Sequence, residues 1–321
     1  MSLKIVLDYL VYVAVRLTIC IVQAIPLDRC AAIARFLAWL VSDVLKIRAK
    51  LLDSNLRHAF PEMSAAERKK LARRTWRHLL LMVCEIAHAP RKIHETNWRD
   101  YVDLKNADDK IRLLLSKRPV VILLGHLGNF EMMGYIAGIL GFPTYTVARP
   151  LDNQFLHDFV QRFRGATGQF ILPKQGSANF IEKTLQSGGT LGLLCDQNAG
   201  PKGCWVEFMG RPASCHKAIS LFSMGSGAPL VMSYFRRTDR PMHFEMGIQG
   251  IYDPATADPQ LGVKELAMWY NSHLEAMIRR NPDQYWWIHN RWRDDRPQKQ
   301  KKTPAAATTA ATETEGARRA A

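Results

Sequence analysis

The chain has 321 residues, and its content of 47% hydrophobic and 23% charged residues excludes disorder of the whole chain and a multi-span membrane protein. Such a length supports one large α/β domain or two smaller ones, and can bury roughly 75% of the unfolded surface without disulfides. With 44 Lys/Arg against 29 Asp/Glu the formal net charge is +15, which calls for an anionic partner.

The charge is concentrated early. Residues 1–118 hold 22 Lys/Arg and 12 Asp/Glu, and Arg68, Lys69, Lys70, Arg73, Arg74 and Arg77 crowd into ten positions. Nucleic acid, an anionic membrane or a solvated helix face all fit such a cluster. The N-terminus favours the membrane. Residues 5–25 are mostly apolar, interrupted by Asp8 and Arg16, and no signal-peptide cleavage pattern follows them. At 100° per residue, Asp8, Tyr12, Arg16 and Gln23 fall at about 0°, 40°, 80° and 60°, one narrow polar stripe on an apolar cylinder. An Arg near the centre of a span costs about 2.5–3.5 kcal/mol on insertion scales, so the helix is a poor free-standing transmembrane segment. It reads as a monotopic membrane anchor that turns its stripe toward protein or water. The competing reading is a buried core helix with a satisfied Asp–Arg pair. Residues 1–25 are therefore taken as an apolar membrane-associated helix.

Residues 27–50 and 64–89 have helical periodicity, punctuated by Pro26, Pro61 and Pro90. Residues 119–125 form a short apolar run, as expected of a strand buried on both faces. Then come a helix over 129–139, a strand over 145–148, a helix over 153–164 and a strand over 170–172. A helix over 177–186, a buried strand over 190–195 and a helix over 215–224 follow. Strands over 229–237 and 243–251 precede a long helix over 261–280. This alternation predicts an α/β fold with a central mixed sheet flanked by helices. Residues 26–296 form the main domain. From 297 to 321 the chain becomes Lys-rich and then Thr/Ala-rich, and reads as a disordered tail. The six cysteines show no CxxC pair, in keeping with a reducing compartment.

There is no GxGxxG, Walker A loop, HExxH or GxSxG, so dinucleotide binding, P-loop hydrolysis, zincin proteolysis and nucleophile-elbow esterase chemistry lose ground. What remains is Gly125-His126-Leu127-Gly128-Asn129-Phe130-Glu131. A histidine stands where a buried strand ends, and a carboxylate follows five positions later at a helix start. In α/β sheets ligands bind at the carboxyl ends of strands. An imidazole there can abstract a hydroxyl proton while a carboxylate holds its tautomer. With no serine nucleophile in evidence, the hydroxyl would belong to a substrate. The bare spacing is weak, and a second copy, His289 with Asp294, occurs in the chain. That copy has no strand-to-helix turn and no glycines, so it reads as the chance or structural one.

The segment GHLGNFE resembles the HxxxxD/E motif of the lysophospholipid acyltransferase superfamily. Further segments resemble, in order, those of the lipid A biosynthesis late acyltransferases: Asn55-Leu56 with Phe60-Pro61, Arg149-Pro150 with Asn153, Arg164 with Gly168, Asp196-Gln197, Phe208 with Gly210-Arg211 and Ala213, Gly227 through Leu230, and 287–293. The likeness covers roughly residues 1–297. It implies an acyltransferase-like fold and an O-acyltransferase on the cytoplasmic face of the cell inner membrane. The donor would be an acyl thioester, acyl-ACP or acyl-CoA. The acceptor would be a hydroxyl of a membrane lipid, a lipid A precursor or a related glycolipid. His126 would be the general base and Glu131 its orienter. Arg149 and Arg164 would hold phosphates, Asn153 would join them in substrate binding, and Asp196 and Gln197 would orient a sugar or shape the site. Arg291 reads as core closure. No cofactor, metal or nucleic acid is implied. A thioesterase using the same dyad on water, and a catalytically silent lipid-binding protein, are the alternatives.

Overall fold

The computed structural model describes residues 2–173 and 176–293. The tail expected at 297–321 lies outside the described residues.

Four helices open the chain: α1 (Leu3–Ala24), α2 (Leu27–Trp39), α3 (Ala49–Ala59) and α4 (Ala65–Lys92), with a π-helical turn at Leu40–Val44 prolonging α2. α4 begins at a capping box, in which the Ser64 hydroxyl accepts from Glu67 N–H while the Glu67 carboxylate accepts from Ser64 N–H at 2.8 Å. This satisfies two donors that a helix start leaves unpaired. Next come β1 (Val102–Lys105), α5 (Asp108–Leu115), β2 (Val120–Leu124), α6 (Phe130–Ile139), β3 (Thr144–Ala148), α7 (Gln154–Gly165), β4 (Gln169–Pro173), α8 (Ala178–Gln186) and β5 (Thr190–Leu194). The chain then forms β6 (Cys204–Phe208), β7 (Arg211–Cys215), α9 (Lys217–Ser226), β8 (Leu230–Arg237), β9 (Phe244–Tyr252) and α10 (Val263–Arg280).

Seven strands make one mixed sheet in the order β1-β9-β8-β2-β5-β3-β4, in which only β8 and β9 run antiparallel. The fold is α/β as the alternation predicts, and 120–124, 190–194 and 230–237 share the sheet. The apolar run of β2 is continuous because both its faces are covered. Val121 and Leu123 pack into the core beneath α10 with Leu191, Leu230 and Leu274, while Val120 and Ile122 pack on the other face with Met132, Ile136 and Phe235. Four features went unpredicted, the first being α3, a helix separate from α2. β1 and α5 are short and carry little apolar pattern. β6 and β7 form a separate antiparallel hairpin, whose second strand ends at Cys215, so the following helix starts two residues later than the periodicity places it.

α1 has no buried residue and is long and apolar enough to cross a membrane. Its polar stripe faces protein. Gln23 donates to the Ala87 carbonyl at 2.6 Å, and Asn153 donates to the Asp8 carbonyl at 2.7 Å. The Arg16 guanidinium lies 4.8 Å from the Phe159 ring centre. The remaining sides, including Leu3, Leu7, Leu10, Leu17 and Ile21, are exposed.

Candidate active site

β2 and β5 are parallel neighbours, and their register pairs Leu124 with Leu194. Each strand runs two residues further to a polar side chain, His126 on one and Asp196 on the other. The pairing therefore delivers an imidazole and a carboxylate to the same end of the sheet. His126 Nδ1 lies 2.7 Å from Asp196 Oδ1, and the His126 backbone N–H donates to Asp196 Oδ2 at 2.8 Å. The Asp196 side chain is only 1% exposed and that of His126 14%. Two bonds to one residue fix the imidazole's position and its ring rotation. With a carboxylate on Nδ1, the neutral ring carries its proton there and presents the Nε2 lone pair.

The electrostatics agree with the geometry. Burial works against the charged imidazole, but the Asp196 charge, its hydrogen bond and the field of Glu131 outweigh it, so the His126 pKa is raised above 6.5. Burial likewise penalises the Asp196 carboxylate, but attraction to His126 and the two hydrogen bonds hold its pKa well below the usual carboxylate range.

This arrangement corrects one expectation. Glu131 does not orient His126. It lies in the first turn of α6 and is gripped by Arg164 of α7, with Nη2 at 2.7 Å from Oε1 and Nε at 3.1 Å from Oε2. The bidentate pair joins α6 to α7 beside the histidine, where Glu131 acts on the imidazole through its field alone. The signal for Asp196 was present in the sequence as two apolar runs each followed by a polar residue at the same offset. Reading it required knowing that the two runs are adjacent strands.

His289 also stands at the site. Residues 285–289 lie against the His126 loop, where Leu127 bridges Tyr285 and Trp286 N–H donates to the His126 carbonyl at 3.0 Å. The ring of His289 stacks on that of His126 at 6.1 Å between centroids, and Trp286 stands edge-on at 5.3 Å. The segment read as the chance or structural copy of the spacing is thus a wall of the site, and the Asp294 of that copy lies outside the described residues. Burial and the neighbouring cations, offset in part by Asp196, lower the His289 pKa.

Of the other expected site residues, Arg164 is in place and three are not brought to the histidine. Asn153 is the N-cap of α7, its side-chain Oδ1 accepting from Leu156 N–H at 3.1 Å, and its side-chain amide ties α1 down by donating to the Asp8 carbonyl. Arg149 is exposed and pairs with the neighbouring Asp152. Gln197 follows Asp196 but is exposed, and its carbonyl accepts from Arg291. Arg291 is buried and donates to the Ser214 carbonyl at 2.6 Å, which closes the β6–β7 hairpin onto the C-terminal segment. Among the described residues no group of three His, Cys, Asp or Glu side chains converges to hold a metal ion.

Next to Glu131 and Arg164 a cleft of about 90 Å³ enters between α6 and the sheet, lined by Leu124, Phe130, Met133, Ala137 and Leu193 among others. Its wall at Gly134 is closed by the side chain of Gln169, which a Cβ on that glycine would meet. An apolar slot that opens beside a polar ion pair, next to the loop carrying His126, suits a reaction on the head of a chain-like substrate.

The model of the bacterial lipid A biosynthesis acyltransferase family matches residues 2–294. The chain belongs to that family. Its curated relatives include the lipid A biosynthesis palmitoleoyltransferase of Escherichia coli K12, 24% identical over 255 residues, 78% of this chain and 80% of that one. The lipid A biosynthesis lauroyltransferase of the same organism is 27% identical over 257 residues, with the same coverage of both chains. A lipid A biosynthesis acyltransferase of Shigella flexneri is 24% identical over 255 residues. The protein is an acyltransferase of the lipid A biosynthesis family, and the two E. coli relatives differ from each other in the acyl chain that their names record.

Proposed function

We propose that the protein moves an acyl chain from an acyl thioester, acyl-ACP or acyl-CoA, to a hydroxyl of a lipid A precursor or a related glycolipid, at the cytoplasmic face of the inner membrane. The observation that carries this reading is His126. Asp196 holds its Nδ1, and Nε2 has no partner among the described residues.

In the reaction, Nε2 takes the proton of the acceptor hydroxyl as its oxygen attacks the thioester carbonyl carbon. The tetrahedral intermediate collapses, the carbon–sulfur bond breaks, and the imidazolium returns the proton to the departing thiolate. The products are an ester and a free thiol. Asp196 stabilises the transient imidazolium, as a buried carboxylate does in hydrolytic triads. The apolar cleft behind Glu131 takes the acyl chain, which places the thioester carbonyl near the histidine. The exposed apolar sides of α1 hold the enzyme at the bilayer where the acceptor lies, with its polar stripe docked on α4 and α7.

The test is lipid mass spectrometry of cells with and without the protein, paired with turnover of a purified acyl thioester. A mass gain of one acyl chain on a glycolipid, dependent on His126, supports the proposal. Thioester consumption at full rate without any acceptor would instead identify a hydrolase.

A further inference from the structure

The loop that carries His126 has a second face. There, His78 of α4 is buried and its Nε2 lies 3.2 Å from the Gly128 carbonyl, while its Nδ1 accepts from Arg237 Nη1 at 2.9 Å. Beyond His78 the surface opens into a cavity of about 290 Å³, lined by Arg74, Arg77, His78, Arg237 and Arg240 together with Asp239 and Asp283.

Four guanidinium groups converge here. Two are neutralised: Arg237 by Glu85 and Arg74 by Asp283 at 3.1 Å. The guanidinium groups of Arg77 and Arg240 have no hydrogen-bond or ion-pair partner among the described residues, and Asp239 is the one lining carboxylate outside those pairs. Arg35 of α2 adds a further positive charge beside Arg77. Burial first, and then the repulsion of Arg35, Arg237 and Arg74, lowers the Arg77 pKa. Like charges gathered around an open cavity repel one another unless an anion joins them. The size of the cavity and the donor geometry of arginine suit a tetrahedral oxyanion, which two guanidiniums can grip in a forked arrangement.

The neighbourhood says where the anion comes from. Arg35 stands on α2, which packs on α4 and leaves Ile33, Phe36 and Trp39 exposed, Phe36 at 59% and Trp39 at 44%. The Phe36 and Trp39 rings lie 5.8 Å apart. Val44 and Leu45, just beyond, are exposed as well. An apolar, aromatic surface edged by Arg35 and, beside it, Arg77 matches the boundary between acyl chains and headgroups. We infer that the Arg77–Arg240 cavity is a phosphate site for the headgroup of an anionic membrane lipid whose chains lie along the exposed face of α2. The site is distinct from the His126 centre, yet His78 and Gln284, which line it, both bond Gly128 of the loop carrying that histidine.

The full-length protein in neutral detergent tests this by thermal shift. Inorganic phosphate is titrated against chloride at constant ionic strength. A saturable rise in Tm is expected, absent from the Arg77→Gln/Arg240→Gln double variant and retained in Arg112→Gln, an exposed arginine of α5. A rise that never saturates, or one that survives in the double variant, overturns the site. The lipid source is tested with monomeric dihexanoyl phosphatidic acid against glycerol 3-phosphate. The lipid should saturate at about tenfold lower concentration because its chains gain apolar contact. Phe36→Ser/Trp39→Ser should erase that gap and leave the response to inorganic phosphate intact. Equal half-saturation of the two compounds on the unaltered protein would overturn the membrane lipid as the ligand.

Discussion

Two histidines hold the two sides of one loop, and they are opposites. On the front, His126 faces the Asp196 carboxylate and its pKa is raised. On the back, His78 faces the Arg237 guanidinium, and burial together with that cation pushes its pKa well below 6.5. The same side chain is pushed toward its charged form beside an anion and toward its neutral form beside a cation. The back is the more buried. Glu85 is fully enclosed, grips Arg237 through both oxygens, accepts from Met242 N–H at 3.1 Å and accepts from the Asn129 amide at 3.0 Å. Asn129 is the residue at which α6 begins. The network thus holds the loop from behind while the front stays free to react.

Removing the front histidine should have the largest effect on rate. His126→Ala is expected to lower kcat by about 10²–10⁴-fold, the usual contribution of a positioned general base, and to lower Tm as well, because it leaves the buried Asp196 carboxylate without the imidazole. Activity that persists at matched folded fraction would sink the assignment. The back should answer in stability instead. Glu85→Gln leaves Arg237 buried without its counter-charge, so a loss of about 3–5 kcal/mol is expected in denaturant unfolding. Loss of rate with unchanged stability would contradict the division between the two sides.

The third prediction separates the two carboxylates near His126. The base must be unprotonated, so activity rises with pH through the His126 pKa, and the raised value puts that limb above about 6.5. Asp196→Asn removes the charge that raises it and should move the limb to lower pH while also lowering the plateau. Glu131→Gln removes only a weaker, more distant field, so its shift should be smaller, in the same direction. Were Glu131→Gln to move the limb further than Asp196→Asn, Glu131 would be the orienter after all. The smallest effect belongs to His289. His289→Ala removes a stacked ring, and the loss should be confined to about 0.5–1.5 kcal/mol of stability, the range for aromatic pairs, with kcat changed less than tenfold. A loss as large as that of His126→Ala would make His289 a participant in the chemistry.

Much of this was legible in the chain. The run 119–125 has no polar residue after Arg118 and Pro119 until His126, and a short run of that kind bounded by proline and glycine fits a strand covered on both faces. The stripe of Asp8, Tyr12, Arg16 and Gln23 follows from helical geometry alone, and Gln23 and the backbone at Asp8 do meet protein while the apolar sides stay bare. The GHLGNFE segment announces a histidine at a strand end. Local rules suffice for these features because each depends on residues within a few turns of one another.

The partners of that histidine were decided elsewhere. Asp196 is 70 residues away, and it reaches His126 because β2 and β5 are neighbours in register, a choice made by the whole sheet. Glu131, five residues away, is drawn off by Arg164 once α6 and α7 pack side by side. His289 arrives through the pairing of the 285–289 segment with the loop, and the back network joins α4 to the end of β8 across 152 residues. The sequence by itself determined the strand, the loop, the apolar helix and the residue types available. Only the tertiary structure decided which carboxylate serves the imidazole, because hydrogen bonds and ion pairs form over a few ångströms of space, and spacing along the chain does not measure that distance.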